Sequence, residues 1–240
     1  MLQQLPNNQG NGFISALYPN AAFSRTDTGL GSIGRIDHAF MPRDSIVPMH
    51  PHQNDEILSY FRTGKAEHKD SEGVFETVGG TKLMLMKAGK WFQHEEKILG
   101  KNEPLEGLQI FVRPAKADGT PSVSFKELDQ LYSDNQWRLI ASPNSDDLLQ
   151  FTSQTWIYDA RLQAGNRLKL ADFQPHLSYL LYVFKGEAMV NGLKLGKKDS
   201  VLIRGENMEI TTDSEAELVL FATDENSEIY RGGMFSGNQF

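Results

Sequence analysis

The most regular feature of the sequence is a series of short segments in which hydrophobic and polar residues alternate. From Ile33 onward the segments are short, and Gly, Asp or Pro separates one from the next. Alternation with a period of two is typical of β-strands that bury one face, and many short strands are typical of an all-β sandwich or barrel. The predicted strands of the first half are residues 34–40, 46–52, 57–62, 66–69, 74–78, 81–86 and 108–112.

The alternation lapses between residues 114 and 136, which we interpret as a linker. Prolines and a glycine interrupt its first part. In its second part Ser124 is placed to cap a helix, and four apolar residues would then share one helical face: Phe125, Leu128, Leu131 and Tyr132. The sequence therefore predicts a short helix in the linker.

Strand-like segments resume after the linker and include one clear hairpin. Asn191-Gly192 lies between two apolar pairs, and this dipeptide favours a two-residue turn between antiparallel strands. The predicted strands of this half are residues 137–141, 149–160, 168–170, 179–184, 188–190, 193–195, 200–203, 208–211 and 218–221.

The two halves also resemble each other. Residues 58–66 align with residues 181–188 with one gap, and each segment is followed by a hairpin and another strand bounded by glycine. An internal duplication explains this, and 240 residues suffice for two domains of about 100 residues each. We predict an N-terminal barrel in residues 1–113 with an arm (1–31) packed on it, the linker 114–136, a second barrel in 137–224 and a tail in 225–240.

Composition excludes several classes of function. The chain has no cysteine, so any metal ion must be held by His and carboxylate side chains. A net charge of −7 and a pI near 5.4 argue against direct nucleic-acid binding. No apolar run approaches the roughly 18 residues of a membrane span, and no signal peptide is visible. We therefore expect a cytoplasmic protein without a membrane partner.

Candidate chemistry is concentrated between residues 50 and 96, where four of the six histidines lie. Residues two apart on a strand point to the same face, so His50 and His52 form one aligned pair, and His94 and Glu96 form another. If the two strands face each other, three imidazoles and one carboxylate converge. A single His-X-His is usually incidental, but here the spacing is repeated with a carboxylate. The sequence predicts a metal site.

The second half does not repeat these residues. At the position of His50-Pro51-His52 it has Gln174-Pro175-His176, and no counterpart of His94 and Glu96 follows residues 204–205. We therefore predict a second barrel that lacks the ligands, with His176 packed or on the surface.

These motifs resemble those of a known family. His-Pro-His at 50–52 followed by Glu-Ile-Leu-Ser-Tyr at 56–60, the turn at 67–73, His-X-Glu at 94–96 and Ser-Pro at 142–143 are similar to the pirin family of bicupins. The resemblance implies two stacked antiparallel jelly-roll β-barrels of the cupin fold. It also implies one divalent metal ion, with Fe²⁺ as the leading candidate and Mn, Ni, Cu, Co or Zn as the others. The ligands that it implies are His50, His52, His94 and Glu96.

The resemblance further implies quercetin 2,3-dioxygenase activity on a small aromatic substrate of the flavonol type. In that reaction we expect Glu96 to take the proton of the substrate hydroxyl. Glu56 is the reserve candidate, because on an unbroken strand it would share a face with His50 and His52; a structural role for Glu56 is the alternative.

Several neighbouring residues have two open interpretations. Trp91 and Phe92 stand where the family often has a small residue followed by an apolar one, and they could line a substrate pocket or fill the core. We expect His68 not to be a ligand, and His38 to lie on the surface or in contact with a ligand.

Two other functions remain open at this point. The first is a non-enzymatic metal- or small-ligand-binding regulatory protein that acts through a protein partner, since mammalian pirins are described as transcriptional co-regulators. The second is a metal-dependent sugar isomerase, which is disfavoured because only Lys90 and Lys97 supply basic side chains near the site. The tail carries three aromatic residues between 229 and 240 and is either disordered or folded back over a pocket or domain interface.

Overall fold

The computed structural model describes residues 1–5, 14–18, 27, 29–144 and 146–237. These residues form β-strands, turns and loops and contain no helix, which confirms the all-β prediction. It follows that no helix of the described chain has the length and hydropathy needed to cross a membrane. Parts of the predicted arm (6–13, 19–26 and 28) and of the tail (238–240) lie outside the described residues.

The first half of the chain forms one strongly curled sheet. Its strand order is β2-β3-β10-β5-β8-β7-β6-β9-β4, and β11 pairs with β8 beside this path. The strands are β2 (Ile14–Tyr18), β3 (Ile33–Met41), β4 (Ser45–His52), β5 (Glu56–Thr63), β6 (Lys65–Asp70), β7 (Phe75–Gly79), β8 (Lys82–Lys87), β9 (Phe92–Ile98), β10 (Leu105–Val112) and β11 (Ser122–Glu127).

The second half forms two sheets with the orders β1-β19-β16-β21-β14-β12-β13 and β15-β20-β17-β18. The strands are β1 (Leu2–Leu5), β12 (Arg138–Ser142), β13 (Leu149–Gln150), β14 (Thr155–Leu162), β15 (Arg167–Lys169), β16 (Ser178–Lys185), β17 (Glu187–Val190), β18 (Leu193–Gly196), β19 (Ser200–Arg204), β20 (Glu209–Thr211) and β21 (Ala216–Thr223).

The start of the chain differs from the prediction that the arm packs on the first barrel. Strand β1 pairs antiparallel with β19 of the second half, whereas β2 pairs with β3 of the first. Leu5 is buried in a core cluster that residues of both halves share. Burial of Leu5 and pairing of the β19 edge explain why β1 lies there.

The predicted linker helix is wrong. Residues 122–127 form strand β11, which pairs antiparallel with β8. Serines at 122 and 124 alternate with Val123 and Phe125, and both apolar side chains pack against a core cluster of the first half. This period of two, together with backbone hydrogen bonds to β8, outweighs the weak helical periodicity of the following residues.

The predicted hairpin and the internal duplication both have counterparts in the backbone. Asn191 and Gly192 have φ values of 47° and 86° between β17 and β18, as the primed two-residue turns require. In the aligned segments, Gly64 follows β5 and Gly186 follows β16, with φ values of 70° and 80°. A glycine in the left-handed backbone conformation therefore follows the corresponding strand in each half.

The two halves meet across a shared hydrophobic core. Leu58, Tyr60 and Ile110 of the first sheet belong to the same buried cluster as Leu180 and Phe221 of the second. A separate apolar cluster, which includes Leu181, Val201, Ile203 and Ile210, fills the interior of the second half. The interior of the second half is therefore packed with apolar side chains.

We predict that Gly64→Ala destabilises the protein more than Gly73→Ala does. Both glycines have positive φ, but a Cβ at Gly64 would lie 2.6 Å from Leu105 Cα, whereas a Cβ at Gly73 would have no atom within 4 Å. The unfavourable φ costs about 1–2 kcal/mol in each variant, and the clash adds about 1–3 kcal/mol at Gly64 alone. Urea unfolding of both variants measures the difference. Equal losses would contradict the close packing of β5 and β10.

Candidate metal centre

Antiparallel pairing of β4 and β9 brings the three histidines of the two motifs together. His50 lies directly opposite His94 in the register, after a shift in the pairing between Val47 and His50. The Nε2 atom of His52 lies 3.1 Å from that of His50 and 3.0 Å from that of His94, and the His50 and His94 Nε2 atoms are 3.1 Å apart. The two motifs therefore converge as the sequence predicts, and the role of these residues as ligands stays a prediction.

Hydrogen bonds at the opposite nitrogen determine which atom of each ring is free. The Nδ1 atom of His50 lies 2.9 Å from the Pro48 carbonyl oxygen, and that of His52 lies 3.5 Å from Asp55 Oδ2. The Nδ1 atom of His94 lies 3.4 Å from His68 Nδ1. Each Nδ1–H thus has an acceptor, so each Nε2 atom carries a lone pair that points at the other two.

This arrangement fits a metal ion. Three lone pairs about 3 Å apart have no proton between them and repel one another unless a cation lies among them. With metal–nitrogen bonds of about 2.1 Å, such separations correspond to angles close to about 90° at the metal. Near-right angles are those of one face of an octahedron, which leaves positions for a carboxylate and for further ligands.

Glu96 lies beside the position on which the three Nε2 atoms converge, and its carboxylate does not reach that position. The donors within 4.8 Å of one another form two groups among the described residues, one of His50, His52 and His94 and one of His68, His94 and Glu96. The Gln109 side-chain amide donates to both oxygens of Glu96, at 3.1 and 2.9 Å, and Glu96 Oε1 is 3.9 Å from His94 Nδ1. The predicted fourth ligand is therefore adjacent to the three histidines, held by Gln109.

Burial shifts the titration of both members of the His94-Glu96 pair. Burial, together with the neighbouring histidines, lowers the pKa of His94 to about 2, so the ring is neutral at physiological pH. Burial raises the pKa of Glu96 to about 7, against the opposing effect of the Gln109 hydrogen bond. A carboxyl group that titrates near neutrality is suited to take up and release a proton.

His68 is part of the site, although the sequence suggests only that it is not a ligand. Strand β6 pairs with β9 so that His68 lies opposite Glu96 and Asp70 lies opposite His94. Its Nε2 atom lies 2.7 Å from Asp70 Oδ2, which leaves Nδ1 to accept the hydrogen bond of His94. The sequence signal for His68 and Asp70 is His-Lys-Asp at residues 68–70, in which the two residues are spaced by two, as His94 and Glu96 are on the adjacent strand.

Glu56, which the sequence offers as a reserve base, does not lie with the three histidines. Its carboxylate accepts the backbone N–H of Thr152, at 2.9 Å from Oε2, and it lines a separate cavity of about 390 Å³. The prediction assumed one unbroken strand, but Asn54 has a φ of 55° between β4 and β5 and changes the direction of the backbone. Glu56 therefore has the structural role that the sequence left as the alternative.

Neither predicted aromatic residue lines the cavity at the histidines. Phe92 is fully buried in a cluster with Met86 and Ala88, and Trp91 is 49% exposed in the loop before β9. The ring that covers His52 comes instead from the tail: the Phe235 and His52 centroids are 4.8 Å apart. The tail thus folds back over the site up to residue 237, which was one of the two alternatives.

The cavity at the histidines is mostly apolar and has a volume of about 220 Å³. Its polar lining includes the three histidines, Glu96 and Gln109. Its apolar lining includes Val47, Ile57, Phe61, Ile98, Phe111 and Phe235. An apolar cavity with a few convergent polar groups is typical of a site for a small organic ligand.

Two other histidines lie away from this cavity. His176 is exposed, as one of the sequence alternatives had it. His38 is fully buried between the halves, so the first of its two predicted positions, on the surface, is wrong. Its Nδ1 atom lies 2.6 Å from the Tyr182 hydroxyl and its Nε2 atom 2.9 Å from Glu106, and its ring stacks on Phe184. Strand pairing places it on the face of β3 that the second half covers.

Comparison with known proteins gives consistent matches for both halves. The Pirin family model matches residues 22–112, and the model described as Quercetinase C-terminal cupin domain matches residues 139–222. The chain is 32% identical over 177 residues to a pirin-like protein of Caulobacter vibrioides, covering 72% of this chain and 75% of that one. It is 29% identical over 174 residues to quercetin 2,3-dioxygenase of Escherichia coli, covering 72% and 74%.

The fold is similar to that of solved structures as well. The crystal structure of the bacterial pirin YhhW from Escherichia coli in complex with nickel(II) superposes with a TM-score of 0.80 at 22% identity, covering 93% of this chain and 99% of that one. The similarity of fold therefore extends over nearly the whole chain.

We predict that His68→Leu lowers the affinity of this candidate site for added Ni²⁺ by about 10- to 100-fold, the usual effect of removing a partner of a metal-binding imidazole. The variant removes the acceptor that orients His94, while the three Nε2 donors remain. Competition with a chelator measures the affinity. His176→Leu, at an exposed position, is the control and should bind as the unaltered protein does. An affinity unchanged by His68→Leu would refute the orienting role.

The pKa of Glu96 predicts how the stability of the metal-free protein depends on pH. Folding raises the pKa of Glu96 from 4.5 to about 7, so the folded protein binds a proton on this group more tightly than the unfolded chain does. The stability that comes from this proton is fully present at low pH and is lost as the pH rises through about 7. We expect the difference in unfolding free energy between Glu96→Gln and the unaltered protein to increase by about 2–3 kcal/mol, in favour of the variant, from pH 5 to pH 8.

Urea unfolding at the two pH values measures this gain. Glu95→Gln is the matched control, because Glu95 is the neighbouring residue on the other face of β9 and is only half-buried. A Glu96→Gln difference that does not change with pH would show that Glu96 is ionised throughout.

Proposed function

The chain belongs to the pirin family, and on that basis we propose that it binds one divalent metal ion and is a metal-dependent dioxygenase of flavonols such as quercetin. The observation that carries the proposal is the convergence of three Nε2 lone pairs with every Nδ1–H already bonded. The relatives named quercetin 2,3-dioxygenase support the choice of reaction.

We propose His50, His52 and His94 as ligands and Glu96 as a fourth. A facial set of nitrogen and carboxylate donors with open positions is typical of non-haem Fe²⁺, and Fe²⁺ is therefore the proposed ion. Ni²⁺, Mn²⁺, Co²⁺, Cu²⁺ and Zn²⁺ suit the same donors. When bound, the ion supplies a Lewis-acidic and redox-active centre for the substrate oxygens and O₂.

Glu96 is the proposed general base. It lines the cavity with the three histidines and lies 3.9 Å from His94, so its carboxylate is placed to accept the proton of a flavonol hydroxyl bound there. Gln109 donates two hydrogen bonds to the carboxylate and so fixes its position next to His94. Glu56 cannot serve, because its carboxylate lies in the other cavity.

The cavity also has an apolar wall that contains two aromatic rings. Phe111 and Phe235 present aromatic rings next to His52, at centroid distances of 6.3 and 4.8 Å. In these positions the two rings can stack on a single aromatic ring bound beside His52. The apolar side chains around them keep bulk water from the reacting oxygens, which strengthens the electrostatic interactions of Glu96.

One observation favours a second candidate, a non-enzymatic metal-binding regulator. Phe235 covers part of the site, and three apolar residues of β3 and β4 are exposed: Phe40, Ile46 and Met49. Ile46 and Met49 lie on the strand that carries His50 and His52, and exposed apolar residues on such a strand are expected if a protein partner binds there.

We predict that the purified protein contains one metal ion per chain and consumes quercetin and O₂, and that His94→Ala loses both properties. Elemental analysis and the loss of quercetin absorbance measure them, after reloading with each candidate metal. His176→Ala is the control for loss of a histidine.

Glu96→Gln separates chemistry from metal binding. We expect this variant to retain the ion and to lose about 10²- to 10⁴-fold in kcat, the usual contribution of a general base, whereas Glu95→Gln keeps full activity. Metal binding without quercetin consumption would overturn the dioxygenase proposal in favour of the regulator, and absence of metal under every loading would overturn both.

A further inference from the structure

Residues 230–237, here called the closing segment, lie against the loop that follows the ligand histidines. The Tyr230 N–H donates to the Pro114 carbonyl at 2.8 Å, and the Met234 N–H donates to the Gln53 carbonyl at 2.9 Å. Gln53 is the residue next to His52. The closing segment is thus attached to the same turn that positions a proposed ligand.

Asp55 joins the closing segment to that histidine. Its fully buried carboxylate accepts the Ser236 N–H at 2.8 Å and the Phe235 N–H at 3.1 Å. The same carboxylate lies 3.5 Å from His52 Nδ1. One anion therefore orients the His52 ring and holds the backbone of residues 235 and 236.

Arg113 holds the end of the closing segment from the other side. This fully buried guanidinium donates to the Ser236 carbonyl at 2.9 Å and forms an ion pair with Asp27. Between these two anchors the side chain of Phe235 is the part of the closing segment that enters the cavity. Its ring lies 4.8 Å from His52 and 5.6 Å from Phe111, and it is only partly buried.

The volume that this ring leaves is small for the proposed substrate. Sites for drug-sized ligands measure roughly 300–1,000 Å³, and a cavity of about 150 Å³ accommodates a benzene molecule. The cavity at the histidines, with Phe235 in its wall, measures about 220 Å³. This volume suits one aromatic ring with its oxygen substituents and is smaller than the volume typical of a site that encloses a three-ring flavonol.

We propose that Phe235 is the specificity-determining residue of the site. In the observed position it restricts the cavity to a single aromatic ring with adjacent hydroxyl groups, and a flavonol binds only when the Phe235 ring leaves His52. This inference rests on the proposed function, because it concerns ligands of the same metal. The closing segment thereby decides the substrate class, whereas the histidines decide the chemistry.

The test compares two probes, catechol with one ring and quercetin with three. Both bind metals through adjacent oxygens, so the ratio of their dissociation constants isolates the effect of size. The full chain is loaded with nickel and kept without O₂, and calorimetry gives the dissociation constant of each probe. No turnover is needed.

We expect Phe235→Ala to lower the ratio of the quercetin to the catechol dissociation constant by at least about tenfold. In this variant quercetin can occupy the space that the Phe235 ring fills in the unaltered protein. Catechol loses Phe235 as a stacking partner and binds about two- to tenfold more weakly. Phe235→Trp should leave the ratio unchanged or raise it. Met234→Ala, at an exposed neighbouring position, is the matched control and should leave the ratio unchanged. Phe235→Leu replaces the alanine variant if that variant does not fold.

A ratio that stays within about twofold in the folded alanine or leucine variant overturns the inference. The outcome is distinct from failure of the proposed function. A shifted ratio without quercetin consumption under O₂ keeps the role of Phe235 and refutes the dioxygenase, whereas a chain that never loads nickel refutes both.

Discussion

The structure of the site depends on one constraint, the register of β4 against β9. This register places His50 opposite His94, and the alternation of each strand brings His52 to the same point. A slip by one residue would turn every one of these side chains to the opposite face. The bonds of each Nδ1–H then determine that the three Nε2 lone pairs meet. Such a set of donors is the basis of the proposed metal site.

The second barrel has no such set among its described residues, yet it contributes to the site from outside. It shares a hydrophobic core with the first barrel, and its Thr152 N–H binds the buried carboxylate of Glu56 beside the turn of residues 53–55. The chain that leaves its last strand, β21, reaches back to place Phe235 over His52. The duplicated half has therefore kept the scaffold and supplies a wall of the cavity in place of ligands.

The local periodicities of the sequence were enough to predict most strands from residue 33 onward, the hairpin at Asn191-Gly192 and the convergence of the three histidines. They were not enough where long-range contacts decide. Glu56 turned away because Asn54 breaks the strand, and β11 replaced a helix because β8 offered a pairing edge. His38 and His68 acquired their positions from strands distant in the sequence. The place of Phe235 depends on Asp55 and Arg113, more than 100 residues away, which no local pattern encodes.

In the proposed site, three imidazoles hold one metal ion through Nε2. X-ray absorption spectroscopy of the nickel-loaded protein can count these rings, since imidazole gives a characteristic multiple-scattering signal. We expect three imidazole nitrogens at about 2.1 Å and an oxygen ligand, with one imidazole fewer in His52→Ala. A spectrum with fewer than three imidazoles, or one that His52→Ala leaves unchanged, would contradict it.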